Sequence, residues 1–194
     1  MKDFTSFFIC IILITIIYIH LENKFSDVEY IKSNVDGKKY LVRNLKDKQE
    51  AADLLAKIRE NLVKVSQELK KKNQDNVDID RMINNFNPDN LSESTHENKY
   101  TSYSVNKGEK IVFCLRSKDE KQKLVDLNIM MFVALHELAH TMTKSVGHTP
   151  EFWNNFRILL RNARKLGIYK RVNYNEKPVE YCGTKITDDP ENFS

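Results

Sequence analysis

From Leu127 to His140 the chain reads LNIMMFVALHELAH, and nearly every position that is not a histidine or a glutamate is apolar. A helix that is apolar almost all round cannot lie on a surface, so this stretch predicts a central helix around which the rest of the chain packs. His136 and His140 are four residues apart. On a helix both imidazoles then share one face, one turn apart, close enough to hold a single metal ion. Glu137 follows the first histidine and can reach a water on the same metal. A third histidine, His148, comes directly after Gly147. Glycine is the usual residue where a helix ends in a left-handed turn, so the chain can reverse there and bring His148 back to the metal.

His136-Glu137-Leu138-Ala139-His140 is the His-Glu-x-x-His pattern of zinc metallopeptidases, in which the glutamate is the general base. The bland alternative is a buried helix whose histidines are satisfied core groups. That reading suits one histidine better than three with a carboxylate beside them. The expected metal ligands are therefore His136, His140 and His148, and the expected catalytic residue is Glu137. Three neutral imidazoles with one position left open suit Zn²⁺ better than other divalent metals.

At the N-terminus, Phe4 to Ile19 reads FTSFFICIILITIIYI and carries no charge. It is slightly short for a membrane span, which takes ~20 residues, and long for a signal-peptide core. No small-x-small cleavage site follows it. The expectation is a single-pass membrane anchor over 4–19, with secretion after signal cleavage as the alternative. The chain divides accordingly into an anchor or signal at 1–23 and a catalytic domain at 24–194.

Between these two landmarks the elements are ordinary. Val28–Lys32 and Lys39–Arg43, joined through Asp36-Gly37, predict a β-hairpin. Asn44 can cap a helix from about Leu45 to Lys72, whose apolar stripe is core. A shorter helix is expected over Ile79–Phe86, then an irregular loop over Asp89–Lys99 with a surface histidine, His96. A second hairpin is expected over Thr101–Val105 and Lys110–Arg116. Its second strand, Ile111–Leu115, is a candidate for pairing with an extended substrate or, equally, for an interior place in the sheet. The metal helix is expected from about Glu120 to Val146. Thr149-Pro150-Glu151 then starts a last helix, running to about Leu166 and stopping at Gly167. The tail beyond shows little regular structure. Tyr169, Tyr174 or Tyr181 could turn a hydroxyl toward the metal, and Cys182 could place a thiolate on it or be an ordinary thiol.

The net charge of +4 is spread without a basic block, so it does not indicate a nucleic-acid partner. Three cysteines, Cys10, Cys114 and Cys182, exclude a disulfide scaffold and allow at most a Cys114–Cys182 bond beyond the apolar segment.

With His136-Glu137-Leu138-Ala139-His140 followed by Gly147-His148-Thr149-Pro150-Glu151-Phe152-Trp153, the chain resembles the WLM metallopeptidases and, more distantly, the SprT-like ones. The resemblance implies an α+β, zincin-like fold: a small mixed or antiparallel sheet packed on a central metal-binding helix and a C-terminal helix. To this the sequence adds the N-terminal membrane-anchor helix. The resemblance also implies zinc on the three histidines, Glu137 as base, and a protein or peptide substrate. Seven residues separate His140 from His148, a spacing between those of the two families. Members of both cleave proteins crosslinked to DNA, a substrate at odds with a membrane anchor. Two other readings stand beside a membrane-anchored endopeptidase: a non-catalytic zinc-bound membrane-tethered interaction domain, and a DNA-repair-type protease acting on DNA-bound proteins.

Overall fold

The structure is a computed structural model and describes residues 7–9, 11–17, 26–98 and 100–192. Strands β1 (Val28–Lys32), β2 (Lys39–Arg43), β3 (Leu91–Glu93), β4 (Tyr103–Val105) and β5 (Lys110–Phe113) form one mixed sheet in the order β1-β2-β3-β5-β4. The pairs β2–β3 and β3–β5 are parallel, while β1–β2 and β4–β5 are antiparallel hairpins. Four helices accompany it: α1 (Lys48–Lys72), α2 (Val77–Asn85), α3 (Leu127–Met142) and α4 (Pro150–Lys165). A separate hairpin, β6 (Val179–Tyr181) and β7 (Thr184–Ile186), follows, then a 3₁₀ turn at Pro190–Asn192. The expected mixed α+β architecture is what the chain adopts.

The sheet lies on α1, and α3 packs against α1, α2, α4 and β4. Eleven of the sixteen residues of α3 are buried, as an all-round apolar helix requires. Helix α1 turns Ala51, Leu55, Ile58, Leu62, Val65 and Leu69 inward at helical spacing. Its last turn carries Lys70, Lys71 and Lys72, opposite in sign to the helix dipole there.

Several boundaries differ from expectation for local reasons. Helix α1 starts at Lys48, and Asn44 does not cap it; its side-chain oxygen accepts from Lys48 Nζ. Helix α3 starts seven residues later than expected. Gln122 has a φ of 45°, which no helix tolerates, and Arg116 bridges to Leu124 across the loop. Asp126 then caps the helix by accepting from Asn128 N at 2.8 Å. Helix α3 also ends early, at Met142, because Thr143 is extended. Gly147 does adopt a left-handed φ of 83°, but inside the following loop.

The N-terminal anchor is corrected. Among the described residues no helix is long and apolar enough to cross a membrane. Within 4–19, the structure describes helical backbone at 7–9 and 11–17. The rest of the stretch 4–19 lies outside the described residues, so neither a single-pass membrane location nor a membrane partner is supported.

Candidate metal centre

Helix α3 presents His136 and His140 on one face, with their Nε2 atoms 3.2 Å apart. His148 arrives from the loop beyond α3 and places its Nε2 3.0 Å from that of His136. One ligand atom from each residue lies within 4.8 Å of the others. Zinc–nitrogen bonds of ~2.0–2.1 Å in tetrahedral array put ligand nitrogens ~3.3 Å apart, so the donor set fits a zinc ion in size and in chemistry. Three imidazole nitrogens turned on one point form a donor set that could hold a cation.

Aromatic packing fixes the rings. Phe152 stacks on His140, and Phe152 and Phe156 meet His136 edge-on at 4.8 and 5.3 Å. Trp153 lies 5.7 Å from His148. These contacts match the expectation that the aromatic residues opening the last helix buttress the metal helix. Burial, with His140 and His148 nearby, lowers His136 to about 3, and burial with His148 and Lys107 lowers His140 to about 4. Both rings are thus neutral at pH 7, the form that can ligate a metal.

The loop from Thr143 to Thr149 is held at both ends. Thr143 Oγ1 donates to Ala139 O at 2.7 Å and accepts from Asn155 Nδ2 at 3.1 Å. Arg81 donates to Met142 O at 2.7 Å. Glu151, in the first turn of α4, accepts from Lys144 N at 2.9 Å and Ser145 N at 3.1 Å. Hydrogen bonds from the Ser145 side chain and from these amides hold its carboxyl down at about 2. Thr149 caps α4 through Phe152 N, and Pro150 takes the first helical position, as the sequence indicates.

Glu137 is 5% exposed, with the main-chain amide of Ser104 acting on its carboxylate. Burial outweighs that amide and raises the carboxyl to about 7. A nearby divalent cation opposes that rise, since it favours the charged form.

A cleft of about 520 Å³ opens beside the histidines. Its walls are Ser102–Ser104 with β4, the helix α3 at Phe132 to His140, the loop at Ser145–His148, and the β6–β7 hairpin at Tyr181 and Thr184–Ile186. One expectation is corrected here, that of an irregular tail, and two open alternatives are decided. Strand β5, with Ile111–Leu115, lies between β3 and β4 and offers no free edge; the terminal strand beside α3 is β4. The tail is not irregular, because Cys182 and Gly183, at φ 49° and 78°, form the tight turn of a hairpin. Cys182 is no metal ligand: it is disulfide-bonded to Cys114.

Of the three tyrosines, Tyr169 and Tyr174 pack around Phe132. Tyr181 alone lines the cleft, but its hydroxyl donates to Cys114 O at 3.0 Å and pairs with Ser102 Oγ at 2.6 Å. His96 and Glu180 are exposed and stand apart from the three-histidine group. Sequence reasoning missed Ser104 as a wall of the cleft, and it named Tyr181 only as a hydroxyl for the metal. The only signal for Ser104 was its alternation within Tyr103–Val105, and for Tyr181 its adjacency to a cysteine.

The WLM domain family matches residues 34–192. An uncharacterized protein of Acanthamoeba polyphaga mimivirus is 35% identical over 183 residues, covering 92% of this chain and 92% of its own length. An uncharacterized protein of Invertebrate iridescent virus 6 is 33% identical over 102 residues, covering 52% of this chain and 54% of its own. Among solved structures, the crystal structure of Wss1 from Saccharomyces cerevisiae is 26% identical, covers 65% of this chain and 89% of that one, and gives a TM-score of 0.47.

Proposed function

The chain belongs to the WLM-domain family, and from that premise we propose that it is a zinc-dependent endopeptidase in which His136, His140 and His148 hold the metal and Glu137 is the general base. The observation that carries the reading is the convergence of three Nε2 atoms beside a buried carboxylate, on the floor of a cleft bordered by a terminal β-strand. A zinc ion bound there supplies a Lewis acid that acidifies water and polarises a carbonyl.

The protein's own groups do the rest. Glu137 takes a proton from the attacking water on a carboxylate oxygen and returns it to the departing amine. Burial pushes the carboxyl up and the metal pulls it down, opposing influences that keep it able both to take and to give a proton. The main-chain amide of Ser104 favours the charged form of that carboxylate. An extended peptide lies along the outer edge of β4 and bonds to it main chain to main chain, which selects for backbone rather than for a particular side chain. A site serving only to bind metal needs no base and is usually closed by a fourth protein ligand. With the anchor unsupported, the objection to a DNA-bound protein substrate also loses its footing; stimulation of cleavage by DNA would favour that substrate.

The test is Glu137→Gln, compared with wild type for zinc content and for cleavage of unfolded protein substrates. The variant should keep its zinc and lose at least about a hundredfold in rate, the usual share of a general base. Cleavage at the wild-type rate would remove Glu137 from the mechanism.

A further inference from the structure

Lys107 lies in the turn joining β4 to β5, outside the three-histidine group and with no part in the proposed reaction. Its ammonium donates to three successive main-chain carbonyls, Thr143 O at 2.8 Å, Lys144 O at 2.9 Å and Ser145 O at 2.8 Å. An ammonium has three protons, so every donor is committed. These carbonyls belong to the segment between the last turn of α3 and His148. From its other side, Glu151 holds the amides of Lys144 and Ser145. The segment that delivers the third histidine is thus gripped on its carbonyls by a cation from the sheet and on its amides by a carboxylate from α4.

The turn that presents Lys107 is itself tightly placed. Asn106 and Lys107 have φ of 46° and 56°, a region that residues other than glycine enter only when their surroundings require it. Gly108 is pressed on the end of α3: a Cβ there would lie 2.6 Å from Thr141 Cγ2 and 2.9 Å from Asn85 O. A lysine used only for solubility would leave its ammonium in water and its side chain free to change rotamer.

We propose that Lys107 is a positioning residue for the third metal ligand. It fixes the Thr143–Gly147 segment so that His148 Nε2 stays 3.0 Å from His136 Nε2, and it ties that ligand to the strand edge along the cleft. This rests on the zinc reading of the three histidines.

The experiment measures zinc affinity by competition with a chelator on the full chain, as wild type, Lys107→Met and Lys107→Arg. The melting temperature of each metal-free protein is measured beside it. Glu93→Ala, which removes a buried ion pair outside the cleft lining, is the destabilised control. Loss of a residue that orients a metal ligand costs about 10- to 100-fold in affinity, so Lys107→Met should weaken zinc by that factor. Lys107→Arg keeps the cation but not an ammonium's three-way geometry, so its zinc affinity should fall between those of wild type and Lys107→Met. Glu93→Ala should keep wild-type affinity despite a lower melting temperature. Equal zinc loss in Glu93→Ala and Lys107→Met would reduce Lys107 to general support of the fold and overturn the proposal, as would unchanged affinity in Lys107→Met or no rescue by arginine. Should Lys107→Met fail to fold, Lys107→Gln, too short to span the three carbonyls, carries the same comparison. A wild-type chain that takes up no zinc would overturn the metal reading together with this one; zinc bound equally by wild type and Lys107→Met overturns this one alone.

Discussion

The ring of Phe152 lies on that of His140 with centroids 4.4 Å apart and planes 29° from parallel. Phe152 is fully buried, and it also touches His136 and His148. One side chain therefore forms a common wall behind all three imidazoles. Because it stands in the first turn of α4, three residues after the Thr149 cap, the start of that helix and the shape of the metal centre are set by the same short segment.

Replacing that wall tests its role. Phe152→Ala should cost about 3–5 kcal/mol of stability in the metal-free protein, as truncations of fully buried phenylalanine do. It should also weaken zinc binding, because His140 and His148 gain rotamer freedom that binding must then remove. Denaturant unfolding of the metal-free chain and chelator competition measure the two effects. Lost stability with unchanged zinc affinity would mean that the rings are held by their helix and loop alone.

Glu151 gives a pH test with a defined sign. Its carboxyl falls from an ordinary 4.5 to about 2 in the folded chain. A depressed folded value means that its contribution to stability is complete above about 4.5 and disappears as pH falls from there toward 2. Stability of the metal-free protein should therefore drop less steeply through that window in Glu151→Gln than in wild type. The variant should also be less stable at pH 7, since an amide cannot replace a charged acceptor on the Lys144 and Ser145 amides. Parallel stability curves for the two proteins between pH 2 and 5 would show that the carboxylate does not hold the loop.

The buried pair of Arg116 and Glu93 carries a larger stake. Arg116 Nε meets Glu93 Oε1 at 2.7 Å, with the two side chains 3% and 1% exposed. Glu93 Oε2 also accepts from Arg43 N at 2.7 Å, fastening β3 to β2. Burial pushes the Glu93 carboxyl up in spite of these partners, so the pair is costly to form and worse to break. Glu93→Ala should lose about 3 kcal/mol, at the low end for a broken buried pair because Asp47 still faces Arg116 at 2.5 Å. Replacing both residues with methionine should be far milder than the single change. A double variant less stable than Glu93→Ala would show that the pair is a net gain to the fold.

Where the sequence was informative, the chemistry was local. Asp36-Gly37 makes its hairpin because Gly37 takes a φ of 71°, and Thr149-Pro150 starts α4 because a hydroxyl and a pre-set φ suit a first turn wherever it occurs. The meeting of His136 and His140 follows from helical spacing alone. What stayed hidden depends on partners distant in sequence. Leu91-Ser92-Glu93 has one apolar residue and no period, and it becomes a strand only because β2 and β5 flank it. The hairpin over β4 and β5 is legible, but which strand faces outward depends on β3 claiming β5. Glu120 to Lys123 has helix-forming composition, yet the segment is a turn, in which the Arg116 guanidinium donates to Gln122 O at 3.3 Å.

The Cys114–Cys182 bond, spanning 68 positions, joins the end of β5 to the turn of the β6–β7 hairpin, whose residues form one wall of the cleft. Tyr181 reinforces it by donating to Cys114 O, and Ser102 Oγ accepts from Cys114 N at 3.1 Å. By chain entropy a crosslink of that span is worth about 4 kcal/mol, so Cys182→Ser or reduction should lower stability by up to that amount. None of the three histidines lies on the hairpin, so zinc content should stay unchanged. If peptides bind between β4 and the hairpin, loosening one wall should raise KM more than it lowers kcat, because binding surface is lost while Glu137 and the histidines keep their places. The check is steady-state cleavage by wild type with and without reductant, beside Cys182→Ser, which should no longer respond to reductant. Zinc lost on reduction would instead mean that the hairpin supports the metal centre, and unchanged KM would remove it from the substrate's path.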